Sequence, residues 1–293
     1  MRKTLLALAA VAVLALAAGC GSLPIPGQAA PAATVNGKVI SMAAYQRQVA
    51  LAINYLSQNG IDDKTPDGQA TIAQMKDEVL TQMIEQEIIN QAAAKQGITV
   101  TNDELDMEIA ATVADAGGQQ VLDDWLKTSG FTIDEFRQTV REQMTADRLI
   151  AAIGASVPAT ADQVRARHIL VETKAEADAV MARLQKGEDF AKVAQEVSLD
   201  DGSKADGGDL GFFPKGVLIP VFEQVAFSLQ PGKYSDPFET EYGFHILQVI
   251  ERDANHALAP QMLEQAQMEA FSQWLADQKT TGQIQNFVAP EAR

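Results

Sequence analysis

The chain has 293 residues, 46% hydrophobic and 21% charged, which is enough for two packed domains and too apolar for a disordered chain. Lys plus Arg number 23 against 39 for Asp plus Glu, and the net charge of −16 argues against a nucleic-acid partner because it repels phosphate backbones. Aromatics are only 6%, so the cores rest on Ala, Leu, Ile, Val and Met.

At the N-terminus, Arg2 and Lys3 precede an unbroken apolar run of 14 residues, Leu5 to Ala18, too short to span a bilayer comfortably. A basic start, an apolar stretch and small residues read as an export signal over 1–19. Ala17-Ala18-Gly19 before the only cysteine, Cys20, resembles the lipobox of bacterial lipoproteins, with Ala where Leu is commonest. That resemblance implies cleavage before Cys20 and lipidation of its thiol. With one cysteine, no internal disulfide forms. Residues 20–33, uncharged and rich in Pro, Gly and Ala, read as a tether between lipid and domain.

Val35-Asn36-Gly37-Lys38-Val39 predicts a hairpin, because Asn-Gly supplies the two positive-φ residues of a tight turn. Ser41 caps a helix that places Tyr45, Val49, Ile53 and Leu56 on one face. Residues 61–68 read as a loop, followed by a helix from about Thr71 to Gln96. Thr101-x-x-Glu104 and Thr132-x-x-Glu135 are capping boxes opening two further helices, with a short helix around Trp125 between them. Residues 34–157 thus read as a helical domain with no His and no Cys, its acids placed on solvent faces or in first helical turns.

After Val157-Pro158 the pattern changes. Arg165–Val171 reads as a strand, followed by two short helices, a Gly- and Asp-rich loop over 198–211, and a strand opened by Phe212-Phe213. A helix over 219–227 and strands over 234–240 and 244–251 complete a β-α-α-β-α-β-β order, an α+β arrangement. His256 falls in an exposed connector. A last helix, about 258–279, carries Phe271, Trp274 and Leu275 on a face that needs cover, and the 34–157 domain is the expected partner. Residues 284–288 read as a closing strand.

Five segments in order resemble the parvulin peptidyl-prolyl cis–trans isomerases: Arg167-His168-Ile169-Leu170-Val171, Ser198-Leu199-Asp200, Gly207-Gly208-Asp209-Leu210-Gly211-Phe212, Pro220-Val221-Phe222-Glu223, and Gly243-Phe244-His245-Ile246. The layout around them resembles PrsA-type foldase lipoproteins and SurA-type periplasmic chaperones. The resemblance implies a four-stranded antiparallel parvulin domain, 160–252, inserted into a helical chaperone domain whose C-terminal part is 256–293. It implies a proline slot of Leu210, Leu218 and Phe222, and a catalytic polar set of His168, Asp200, Thr240 and His245. Counting from Ser198 selects Asp200 as the acidic position; counting back from Gly207 by a shorter spacing selects Asp201. The Ser-x-Asp-x-Gly-Ser run is similar to the SurA-type loop and favours Asp200. No basic loop follows the first strand, so no phosphopeptide preference is expected.

Rotation about X–Pro breaks no bond, and the sequence offers no metal or cofactor motif: two histidines lack an obvious third ligand, and the Asp-rich loop lacks the order of a calcium loop. The function implied is a lipid-anchored foldase outside the cytoplasm, acting on X–Pro bonds of unfolded or nascent exported polypeptides and holding such chains. The competing reading is a holdase whose parvulin domain is an inactive binding module. Oligomeric state and clients are not legible.

Overall fold

The structure, a computed structural model, describes residues 30–61 and 63–288. The signal and Cys20 lie outside the described residues. Among the described residues, no helix is long and apolar enough to cross a membrane. The chain divides into two compact units, one built from the segments before Pro158 and from Glu264 onward, the other from Pro158–Leu263.

In the first unit, β1 (Pro31–Val35) and β2 (Lys38–Ser41) form the hairpin, with Asn36 at φ 51° and Gly37 at φ 83°. Helices follow as α1 (Met42–Gln58), α2 (Pro66–Lys95), α3 (Asn102–Ala116), α4 (Gln119–Ser129) and α5 (Ile133–Gly154). Both capping boxes form, with Thr101 and Thr132 each exchanging hydrogen bonds with the glutamate three residues on. α2 begins five residues before the expected start, because Thr65 caps it and Pro66 sits at the first helical position, where the missing N–H costs nothing. The tether reading ran too far: Pro31, Ala32 and Ala33 belong to β1, and both alanines are fully buried between paired strands. Glu87 and Glu142 are also buried, against the expectation of solvent-facing acids; side-chain amides of Gln91 and Gln138 donate to them at 2.8 and 2.7 Å.

The C-terminal segment closes this unit. α9 (Pro260–Thr281) lays Trp274 and Leu275 against the core of Val35, Ile40, Val79 and Met83. β7 (Ile284–Asn286) then pairs antiparallel with β1, giving the order β2-β1-β7. Trp274 and Leu275 are thereby partly covered, and no residue of α9 is fully buried.

The second unit runs β3 (Thr160–Val171), α6 (Lys174–Gln185), α7 (Phe190–Val197), β4 (Asp209–Pro214), α8 (Pro220–Ser228), β5 (Phe238–Thr240) and β6 (Gly243–Ala257). The four strands form an antiparallel sheet in the order β4-β3-β6-β5. β6 is longer than expected and the unit exceeds 160–252, because Thr160 and Ala161 pair with Ala257 and His256. β5 is shorter than expected: Pro237 has no N–H to give a ladder, and Tyr234 makes only an isolated bridge to Gln248.

Side chains alternate across this sheet. Ile169, Val171 and Ile246 face Val180, Leu184, Phe190 and Val193 of α6 and α7. Val164 and Ala166 of β3, Leu247 and Val249 of β6 and Phe213 of β4 share the other face and pack with α8 residues Phe222 and Ala226. His168 and His245 continue these two apolar columns by strand alternation, so the fold brings both imidazoles to the α8 face of the two central strands.

Candidate active site

His168 stands opposite Leu247 in the register and Leu170 opposite His245, so the two histidines are diagonal neighbours. Both are buried. Their rings stack with centroids 5.4 Å apart and planes 15° from parallel, and their Nδ1 atoms are 3.2 Å apart. Phe238 stacks on the far side of His245 at 5.4 Å. Phe222 presents its ring at 5.5 Å to His168 and 5.6 Å to His245, nearly perpendicular to each. Leu210 and Leu218 are half-buried against the same cluster, which also contains Phe213 and Phe238. The three residues of the expected proline slot are therefore brought together, with Phe222 as a floor at only 4% exposure.

Hydrogen bonds order the polar set along one direction. Asp200 Oδ2 lies 2.8 Å from His168 Nε2. Burial pushes the Asp200 carboxyl up, but hydrogen bonds from Ser203 and His168 outweigh it and hold the group below the usual carboxylate range. An ionised carboxylate only accepts, so the proton is assigned to His168 Nε2, leaving His168 Nδ1 as an acceptor. His245 Nδ1–H then donates to it, and His245 Nε2 accepts the Thr240 hydroxyl proton at 2.7 Å. Thr240 Oγ1 accepts in turn from the Tyr242 N–H at 3.1 Å. Every N–H and O–H in the chain points toward Asp200. Burial first, then the neighbouring His168, lowers the His245 pKa to about 4, so this ring is neutral at physiological pH.

Of the two aspartates, Asp200 meets His168, whereas Asp201 is exposed in the following turn. Ser198, fully buried, ties the loop to β3; its Oγ accepts from the N–H groups of Leu170 and Asp200 at 3.2 and 3.3 Å. Gly208 explains the double glycine. It has φ 83°, its carbonyl accepts the His168 N–H at 2.9 Å, and a Cβ there would lie 2.1 Å from the His168 carbonyl oxygen.

Two contributors were missed by sequence reasoning. Glu223 Oε1 accepts from the N–H groups of Gly216, Val217 and Leu218, each at 2.8 Å, and so fixes the loop that carries Leu218. The signal was Glu in the first turn of a helix opened by Pro220, which marks it as an anchor for free N–H groups. Phe238, beside Thr240 on a three-residue strand, carried no signal of its own. His256 departs from expectation: it belongs to β6, stacks on Phe212 at 3.8 Å and is half-buried. Phe213 joins the core with Phe222, and Phe212 is the residue that packs apart from it. Among the described residues, no three His, Cys, Asp or Glu side chains are grouped to hold a metal.

An antiparallel four-stranded sheet with two stacked histidines over an aromatic floor, fed by a carboxylate and a hydroxyl, defines a parvulin-type peptidyl-prolyl isomerase unit. Residues 159–251 match the PPIC-type PPIASE domain family, and residues 1–150 match the SurA-like N-terminal domain family. Foldase protein PrsA of Caldanaerobacter subterraneus subsp. tengcongensis is 33% identical over 267 residues, covering 84% of this chain and 81% of its own. That of Exiguobacterium sibiricum is 31% identical, covering 86% and 76%. That of Geobacillus kaustophilus is 47% identical over 91 residues, 31% of this chain and 32% of its own. The chain belongs to the PrsA foldase family, and its enzyme class is peptidyl-prolyl cis–trans isomerase.

Proposed function

We propose that this protein is a lipid-anchored foldase outside the cytoplasm that isomerises X–Pro bonds of exported polypeptides and holds those chains while they fold. The observation that carries the catalytic part is the intact relay from Thr240 through His245 and His168 to Asp200, set against an aromatic floor. Rotation about X–Pro faces a barrier of about 18–20 kcal/mol because the planar amide is held by resonance. Twisting removes that resonance: the carbonyl oxygen becomes less negative and the prolyl nitrogen more basic. A pocket that is dry and apolar around the ring favours the twisted form over the planar one. Phe222, Leu210 and Leu218 supply the apolar contact. Asp200, the partly open end of the relay, places negative charge where a bound carbonyl oxygen would lie. It penalises the planar amide, with its more negative oxygen, more than the twisted one.

The neutral His245 ring matters because a positive charge there would break the chain of aligned donors. The role of the two histidines in this reading is to orient Asp200 and Thr240 around a bound peptide. Leu199 and Tyr242, both exposed, flank Asp200 and Thr240 in the chain and offer apolar contact to residues beside the proline. Lipid anchoring rests on the Ala17-Ala18-Gly19-Cys20 pattern. It predicts that labelled palmitate enters the wild-type protein and not Cys20→Ala in a bacterial host; equal labelling would remove the anchor from the proposal. The isomerase part is tested by exchange kinetics on a Xaa-Pro peptide, with His168→Ala expected to fall at least tenfold below wild type.

A further inference from the structure

Asp200 receives a further side-chain hydrogen bond that the relay alone does not require. Ser203, in the loop between α7 and β4, is 3% exposed, and its hydroxyl donates to Asp200 Oδ2, the same oxygen that accepts from His168. The Ser203 backbone is engaged as well: its N–H reaches the Asp200 carbonyl at 3.3 Å, and its own carbonyl accepts the Gly208 N–H at 2.8 Å. Gly208 in turn accepts the His168 N–H. Ser203 is thus joined to His168 twice, through the Asp200 side chain and through the Gly208 backbone.

We propose that Ser203 is a positioning residue of the isomerase site, its hydroxyl holding Asp200 ionised and aimed at His168 so that both histidines stay in one tautomeric order. The inference rests on the assignment of this site to prolyl isomerisation. The surroundings of Asp200 leave few other groups for this task. β3 contributes His168; β6 contributes His245 one step further; α8 sets the apolar Phe222 ring against those histidines; Lys204, whose N–H donates to the Asp200 carbonyl at 2.9 Å, is the cationic residue next in the loop. The neighbouring Asp201 is exposed and adds negative charge. Gly202 adds one backbone donor. Burial alone favours the protonated acid. A protonated Asp200 could donate rather than accept, and His168 Nε2 would lose its fixed acceptor. His168 and His245 could then reverse, leaving Thr240 without its acceptor on His245.

The decisive experiment is a double-mutant cycle on kcat/KM in the full chain, read by magnetisation exchange of a Xaa-Pro peptide between pH 4 and 8. Ser203→Ala is expected to lower kcat/KM about tenfold at pH 7, equivalent to about 1.4 kcal/mol. The acid limb of its profile should move upward, because the donor favouring ionised Asp200 is gone. KM should change by less than kcat, since Ser203 is buried away from the peptide. In an Asp200→Ala background the same substitution should change kcat/KM less than twofold. Ser203→Cys, which preserves size with a weaker donor, should give an intermediate shift of the acid limb and guards against a folding defect in the alanine variant. An unmoved acid limb in both variants, or an undiminished loss in the Asp200→Ala background, overturns the positioning role. A wild-type chain that fails to accelerate exchange at any pH overturns the site assignment itself, so the two failures are distinguishable.

Discussion

Phe222 is both floor of the site and part of the core, and substituting it separates these roles. Its ring meets His168, His245, Phe213 and Phe238 with centroids between 5.5 and 6.4 Å, and it is 4% exposed. Truncation to Ala removes most of those contacts and leaves a cavity, a change that costs about 3–5 kcal/mol for a buried aromatic. A domain of this size has about 5–15 kcal/mol in total, so Phe222→Ala would leave a weakened unit whose activity loss has two causes. Phe222→Leu is the sharper probe. It retains much of the volume and costs on the order of 1–2 kcal/mol, about 4–16 °C in Tm for a unit near 100 residues. It still removes the ring edge set against both imidazoles and the planar surface under the substrate proline. We expect kcat/KM on a Xaa-Pro peptide to fall about tenfold to thirtyfold, about 1.4–2 kcal/mol, with KM rising by less than kcat falls. The helical unit has its own core, so suppression of client aggregation should stay within twofold of wild type. Phe222→Leu that melts cooperatively and isomerises at the wild-type rate would refute the floor assignment.

Two further outcomes follow from the same geometry. His245 has its pKa lowered from 6.5 to about 4, so the unfolded imidazole protonates at higher pH than the folded one. Its contribution to stability is therefore complete above about pH 6.5 and is lost as pH falls toward 4; nitrogen-15 spectra at pH 5.5 should show a neutral His245 ring, and a midpoint near 6.5 would contradict its burial. Gly208→Ala puts a Cβ 2.1 Å from the His168 carbonyl oxygen at a φ of 83°. The left-handed conformation alone costs about 1–3 kcal/mol, and the backbone clash adds to it; urea unfolding of the parvulin unit within 1 kcal/mol of wild type would be the unfavourable result.

What the sequence made legible were features with local causes. Thr101–Glu104 and Thr132–Glu135 cap their helices because each pair is satisfied within one turn. Asn36-Gly37 turns the first hairpin because both residues tolerate positive φ. The need of Trp274 for cover was readable from its helical face, and the core of the first unit supplies it. Features with distant causes were not legible. Pro31–Ala33 looked like tether because nothing nearby announces that β7, some 250 residues later, pairs with β1. β6 extends to Ala257 only because Thr160 and Ala161 lie beside it. In the site, His168 and His245 stood out by motif, and their diagonal placement follows from the pairing of β3 with β6. Ser203 did not stand out, since a serine in a Gly- and Asp-rich loop reads as a turn residue until its hydroxyl is seen on Asp200.

The most direct test of an active isomerase is the exchange rate of a Xaa-Pro peptide with the purified chain, its His168→Ala variant and no protein. Unaided, the bond turns over in tens to hundreds of seconds. We expect the wild-type chain to accelerate that exchange catalytically and His168→Ala to lose at least tenfold in kcat/KM. Equal rates with wild type and with no protein, while the chain still suppresses client aggregation, would contradict the enzyme and leave a holdase carrying a silent parvulin unit.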